Sequence, residues 1–135
     1  MQTRRLFLKS IFSLPLFLIF NQKSTAKQIA KHSSKTILLN QCSIAGFQYY
    51  QGKDVLHSLK INDSIVIVAE SDNQYDKYAV AVYYQTKKLG YIPRKENKHV
   101  SRILQAGVKL HARVNAVDVN QSAWNAVEVA VYMQV

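Results

Sequence analysis

The stretch Lys109-Leu110-His111-Ala112-Arg113-Val114-Asn115-Ala116 sets Leu110, Ala112, Val114 and Ala116 against Lys109, His111, Arg113 and Asn115. Successive side chains of an extended backbone leave opposite faces, so this period of two predicts a strand with one face in a core. Val127, Val129, Val131 and Met133 repeat the pattern against Glu128, Ala130, Tyr132 and Gln134. Upstream, Ala79 to Tyr84 and Leu89 to Ile92 flank the polar Gln85-Thr86-Lys87-Lys88, as in a hairpin. Ile65-Val66-Ile67-Val68-Ala69 is β-branched and apolar on both parities, which predicts a central strand covered on both faces. Ile37 to Ile44 supplies the first strand, with Leu38, Cys42 and Ile44 on one parity. Two short helices interrupt the series. Val55, Leu56 and Leu59 form one apolar stripe; Val100, Ile103 and Leu104 form the other, after Pro93 and closed by Gly107. The prediction is a mainly β domain: six strands and two short helices in a small closed or partly closed barrel, whose closure hides the sheet edges.

The 135 residues have room for one domain, and at 48% hydrophobic they are too apolar for a disordered tail. A single cysteine excludes an intrachain disulfide and any zinc site built on paired cysteines. Neither a Gly-rich phosphate loop nor a dinucleotide fingerprint is present, so a large nucleotide-using enzyme is excluded.

The N-terminal segment reads differently from the rest. Thr3-Arg4-Arg5-Leu6-Phe7-Leu8-Lys9 precedes an apolar run from Ile11 to Phe20, and Ser24-Thr25-Ala26 offers small residues for cleavage. This is the plan of an export signal, with the mature chain starting near Lys27. The apolar run is too short for a bilayer core, which needs about 20 residues, so no stable membrane span is expected in the mature form. Arg4 and Arg5 with Phe7, Leu8 and Lys9 resemble the twin-arginine motif, which implies a bacterial protein carried folded by the twin-arginine translocation machinery. The expectation is a signal over residues 1–26, a loose leader over 27–35 and the barrel over 36–135. The product is then periplasmic or secreted, or tethered to the membrane if the signal stays uncleaved. Replacing Arg4 and Arg5 together by Lys is expected to trap the precursor in the cytoplasm; unchanged export would mean the general secretory route. Four of the 18 basic residues (Arg4, Arg5, Lys9 and Lys23) and none of the 8 acidic ones precede Lys27, so the net charge of +10 falls to +6 beyond it. That balance favours anionic partners in general.

Three segments taken in order are more specific than any one alone: Ile44-Ala45-Gly46-Phe47-Gln48-Tyr49-Tyr50-Gln51-Gly52, then Glu70-Ser71-Asp72-Asn73-Gln74-Tyr75-Asp76-Lys77-Tyr78-Ala79-Val80-Ala81-Val82, then Leu89-Gly90-Tyr91-Ile92-Pro93-Arg94 with Asn97 beyond. In this order and spacing they resemble the HIRAN domain, over about Gln41 to Met133. The resemblance implies a six-stranded OB-like barrel with added helices, and binding of single-stranded DNA at a free 3′ end. It implies base stacking by Tyr49 or Tyr50, capture of the terminal nucleotide and its hydroxyl by Tyr75 with Asp76, and a phosphate contact from Arg94. Trp124 is a further stacking candidate. This sequence departs from the family pattern at Gln48, where DNA-binding relatives carry arginine, at Gln74, where proline is common, and at Tyr78, where a small polar residue is usual.

The chemistry suits such a ligand. Aromatic faces stack on bases without regard to sequence, and an ionised carboxylate only accepts hydrogen bonds, so it welcomes a hydroxyl end and repels a phosphorylated one. Each residue also has a plainer structural reading. Tyr49 and Tyr75 would pack strand ends, Asp76 would cap its own loop, Arg94 would be a solvated charge at a helix start, Gly90 a turn residue, Asn97 a turn brace, and Trp124 a cover for the barrel end. His32, His57, His99 and His111 lack ligand spacing and no nucleophile stands with a base, so neither catalysis nor a cofactor or metal is expected. Two functions stay open: a monomeric nucleic-acid-binding module, or an exported envelope module using the same face for a peptide, glycan or other anionic ligand.

Overall fold

The computed structural model describes residues 34–135. The expected export signal and the first part of the expected leader lie outside the described residues. The elements are β1 (Thr36–Ser43), a 3-10 turn (Phe47–Tyr49), α1 (Gly52–Val55), β2 (Ser64–Ala69), β3 (Val80–Tyr84), β4 (Lys87–Tyr91), α2 (Asn97–Gln105), β5 (Leu110–Val117) and β6 (Val127–Gln134). The six strands form one antiparallel sheet in the order β1-β6-β5-β2-β3-β4. The two ends of that order meet. Just past β1, Ala45 pairs with Tyr91 of β4, its N–H donating to the Tyr91 carbonyl at 2.8 Å and its carbonyl accepting from the Tyr91 N–H at 2.9 Å. The sheet is thereby wrapped into the OB-like barrel.

Three register shifts accompany the wrapping. Leu39 is the extra residue where β1 meets β6, Leu89 where β4 meets β3, and Asn115 where β5 meets β6. A bulge bends its strand and increases the local twist, which a small closed sheet needs. It also moves the following residues to the other face. Leu38 therefore points outward while Cys42 and Ile44 are buried, and Ala116 is exposed while Val117 packs on the core. Simple alternation assigns both Leu38 and Ala116 to the inner face, and the bulges overturn it.

Strand β2 departs from expectation too. It is central in the ladder, paired with β3 and β5, yet only Ile65 and Ile67 face the core; Val66 and Val68 are half exposed. Central pairing does not bring a second layer over its outer face.

Inside, Ile44, Phe47, Val80, Val82, Leu89, Val114, Val127, Val129 and Val131 are almost fully buried, and full burial of side chains of this size is worth roughly 1.5–3 kcal/mol each. Cys42 joins them, and burial pushes its thiol up to about 12, so it behaves as a small apolar side chain. Helix α1 is a single turn, shorter than the apolar stripe suggests, with Val55 and Leu59 turned inward from the helix and the turns after it. Helix α2 places Val100 in the core and stops as expected. Gly107 takes φ +84°, its N–H bonds to the Leu104 carbonyl at 3.0 Å, and that of Val108 bonds to Ile103 at 3.2 Å. These two bonds are the Schellman pattern.

Gly90 is a strand residue, not a turn residue. It sits in β4 at φ +144°, and a Cβ there would run into the Ala45 carbonyl. Only glycine lets the two ends of the sheet approach so closely at this point.

Candidate functional site

The loop from Glu70 to Ala79, between β2 and β3, carries the Tyr75-Asp76 pair. Its ends are tied by the Glu70 N–H donating to the Ala79 carbonyl at 2.8 Å. Asn73 organises the middle: its Oδ1 accepts from the N–H groups of Tyr75 (2.9 Å) and Asp76 (3.1 Å), and its Nδ2 donates to Glu70 at 3.2 Å. Asparagine favours such turns because a short side-chain carbonyl reaches the backbone two or three residues on.

Asp76 is held from three sides. Its Oδ1 accepts from the Tyr78 N–H at 2.9 Å, its Oδ2 accepts from Asn97 Nδ2 at 2.8 Å, and Arg94 Nε lies 3.8 Å from Oδ2. Partial burial alone would raise its pKa, but the Tyr78 and Asn97 hydrogen bonds and the Arg94 charge together hold the carboxyl below the ordinary value. It stays ionised at neutral pH. Arg94 also donates from Nη2 to the Tyr75 carbonyl at 2.7 Å, fixing the loop while most of its side chain remains in solvent.

Above this floor the aromatic side chains stand unequally. Tyr75 is 85% exposed, a ring held by its backbone and packed on little. Tyr50 meets Tyr91 edge-on, with ring centroids 5.7 Å apart at 69°. Together Tyr50, Tyr75, Asp76, Arg94, Asn73, Tyr91 and Asn97 line a hollow of about 360 Å³. Tyr49, 74% exposed, stands outside that lining, and Trp124, 59% exposed in the loop before β6, does not reach it. Four of the six ligand candidates thus share one concave site.

A second network braces the wall. Lys88 Nζ donates to the Tyr91 hydroxyl at 2.5 Å and lies 3.4 Å from Glu70 Oε2, and the Tyr91 hydroxyl donates to Glu70 Oε1 at 2.8 Å. The same ammonium stands 4.2 Å from the Tyr91 ring centroid and 5.1 Å from that of Tyr50. Burial would raise the Glu70 pKa, yet the hydrogen bonds from Tyr91 and Asn73 and the Lys88 charge bring it below its ordinary value. Lys88 is shifted upward: burial works against its charge, but the Tyr91 hydrogen bond and Glu70 outweigh it.

Sequence reasoning assigns no ligand-site role to Asn73, Asn97, Tyr91 or Lys88. Asn97 is 2% exposed and braces Asp76 rather than a turn. The polarity of residues 85–88 places Lys88 in the hairpin turn, whereas it lies in β4. The Asn73-to-Asp76 spacing is the one usable signal, since an Asx turn is legible from sequence.

A closed β-barrel with an aromatic-sided hollow, a fixed carboxylate floor and a cation at the lip defines a small ligand-binding module. The family model for the HIRAN domain matches residues 37–135, and the chain belongs to that family. HIRAN domains are in general binding modules, and the assignment supports a nucleic-acid-binding role. A crystal structure of a protein from Lactobacillus plantarum is similar over 73% of this chain and 95% of its own, with 24% identity and a TM-score of 0.63. The HIRAN domain of human HLTF is similar over 73% of this chain and 77% of its own, with 18% identity and a TM-score of 0.52. At these identities the likeness speaks for the fold. No curated protein matches the chain.

Proposed function

We propose that this barrel is a non-catalytic module that binds single-stranded nucleic acid at a free 3′-hydroxyl end. The observation that carries the reading is the ionised Asp76 carboxylate, fixed by Tyr78, Asn97 and Arg94 on the floor of a hollow flanked by Tyr50 and Tyr75. A carboxylate so held accepts a hydrogen bond from a terminal hydroxyl and repels a terminal phosphate. Tyr75 offers an exposed face for the last base, and stacking of this kind is worth about 1–3 kcal/mol per base. Arg94 spends one donor on the Tyr75 carbonyl and keeps others for a backbone phosphate. In this reading Asn73, Asn97 and Tyr91 position the pocket, and Trp124 takes no part in it.

The test compares one labelled single strand ending in a 3′-hydroxyl with the same strand ending in a 3′-phosphate, by fluorescence anisotropy at low salt. Tighter binding of the hydroxyl end is expected, and Asp76→Ala should abolish the difference. Equal affinity for both ends would reject end recognition. Absence of binding to either strand would favour the other use of this face, as an exported envelope module for a peptide, glycan or other anion, the location suggested by Arg4 and Arg5.

A further inference from the structure

Beside the hollow lies a cluster of charge that the end-binding pocket does not use. The ring of Tyr78 has Lys77 Nζ 5.1 Å, Lys98 Nζ 5.4 Å and Arg102 Cζ 5.5 Å from its centroid, and Arg102 Nη2 donates to its hydroxyl at 3.4 Å. Among the described residues the ion pairs are Lys88 with Glu70 and Arg94 with Asp76; none of these three cations is in one.

Fold stability does not account for the arrangement. Lys98 and Arg102 stand four residues apart on α2, where like charges repel across a turn. No acidic residue occupies that helix, and Lys98 lies in its first turn, where the helix dipole favours negative charge. Both placements cost stability, and Glu96, the residue just before the helix, is in no ion pair with either cation. The Tyr78 hydroxyl registers the same field: the Arg102 hydrogen bond and the surrounding charges of Lys77, Arg102 and Lys98 hold it below the ordinary phenol value.

The cluster is continuous with the pocket. A neighbouring hollow lined by Lys77, Tyr78 and Lys98 shares Tyr75, Asp76, Arg94 and Asn97 with the first, and a further depression carries the charge on to Arg102. A strand whose last nucleotide sits on Asp76 therefore has a basic exit.

We propose that Lys77, Lys98 and Arg102, gathered around Tyr78, form a phosphate-binding track for the nucleotides that precede the captured 3′ end. The track rests on the end-binding reading, and it commits to the phosphodiester backbone of the same strand. It makes binding depend on strand length as well as on the terminal group.

The experiment measures affinity of the full chain for a trinucleotide and for a strand of roughly a dozen nucleotides, within the span such a barrel covers. Both carry a 3′-hydroxyl, and each is titrated across salt concentrations. Lys98→Ala with Arg102→Ala is the test variant; both side chains are exposed, so the fold is retained. The wild-type protein is expected to prefer the longer strand. In the variant that preference disappears and the slope of log affinity against log salt becomes shallower by about 1.4, at roughly 0.7 for each phosphate no longer neutralised. Trinucleotide affinity and the preference for hydroxyl over phosphate ends should stay as they were. If the length preference and slope persist in the variant while the end preference is intact, the track is overturned and the pocket stands. Length-dependent binding that the variant abolishes, without any end preference, overturns the end-binding role and with it a track leading from a captured end, leaving the three cations as a phosphate-binding surface indifferent to strand ends. Binding to phosphatidylserine vesicles but to no strand overturns both.

Discussion

Asp76 and Tyr75 are neighbours in sequence with opposite physical situations. The carboxylate is enclosed by donors, whereas the ring beside it has almost no packing partner. Removing that ring should leave the fold intact: Tyr75→Ala is expected to weaken strand-end binding by about 1–3 kcal/mol, roughly 5- to 150-fold, with the thermal midpoint unchanged. Tyr49→Ala, outside the hollow, should cost clearly less. Equal losses at both positions, in parallel anisotropy titrations, would mean the base stacks elsewhere. These two tyrosines, Asp76 and Arg94 are legible as candidates because they fall within compact motifs. The brace from Asn97 is not, because its partner is 21 residues away and the meeting of α2 with the β2–β3 loop is decided by packing. Trp124 shows the converse. An exposed indole in a hairpin reads like a stacking platform whether or not the chain carries it to the site.

At the scale of elements, the β4 strand closes the barrel through Tyr91, and the neighbouring Gly90 leaves room for the approach because it has no side chain. Gly90→Ala should be severe, about 3 kcal/mol or more, since the added methyl meets backbone that cannot give way and φ is already unfavourable. Gly107→Ala meets open space and should cost only the left-handed backbone penalty of about 1–2 kcal/mol. Urea midpoints at constant m-value would separate the two; similar losses would place the burden on conformation instead of collision. The strands themselves are readable from their period, and β5 and β6 almost to the residue. Their faces are less so. Leu38 and Ala116 end on the solvent side because bulges at Leu39 and Asn115 each shift the parity by one, and a bulge leaves no mark in a pattern of apolar residues. Val66 and Val68 escape for another reason, since periodicity reports what a side chain is and not whether anything covers it.

For the whole molecule, the ionised groups of the site and the buried Cys42 thiol set the pH range of stability. Glu70 and Asp76 have folded pKa values below the ordinary 4.5 and 3.8, so the unfolded chain binds more protons as the solution is acidified. Their contribution is complete above those ordinary values and is lost as pH falls through the depressed ones. Lys88 acts in the other direction. Its folded value lies above 10.5, so its contribution is complete below that and disappears as pH rises through the folded value. Cys42 acts in the same direction as Lys88 and from a lower pH, because burial lifts its thiol from 9.0 to about 12. Thermal midpoints should therefore hold level from the acid limit up to about 9.0 and drop beyond each. Glu70→Gln is expected to flatten the acid limb, and an acid limb unchanged by that substitution would assign the loss to other carboxylates. The two ion pairs are partly buried, with Lys88 and Glu70 each 24% exposed and Asp76 18%, so loss of solvation offsets part of their mutual attraction.

The cylinder is fastened between Ala45 and Tyr91 by one pair of backbone hydrogen bonds, and the tyrosine of that fastening also forms part of the hollow's wall. Occupancy and integrity are consequently linked. A guest lodged against Tyr91 keeps the hoop clasped, and by mass action every increment of affinity for the closed ring becomes resistance to its springing open. In such a molecule the lock on the container and the grip on its contents are a single piece of hardware.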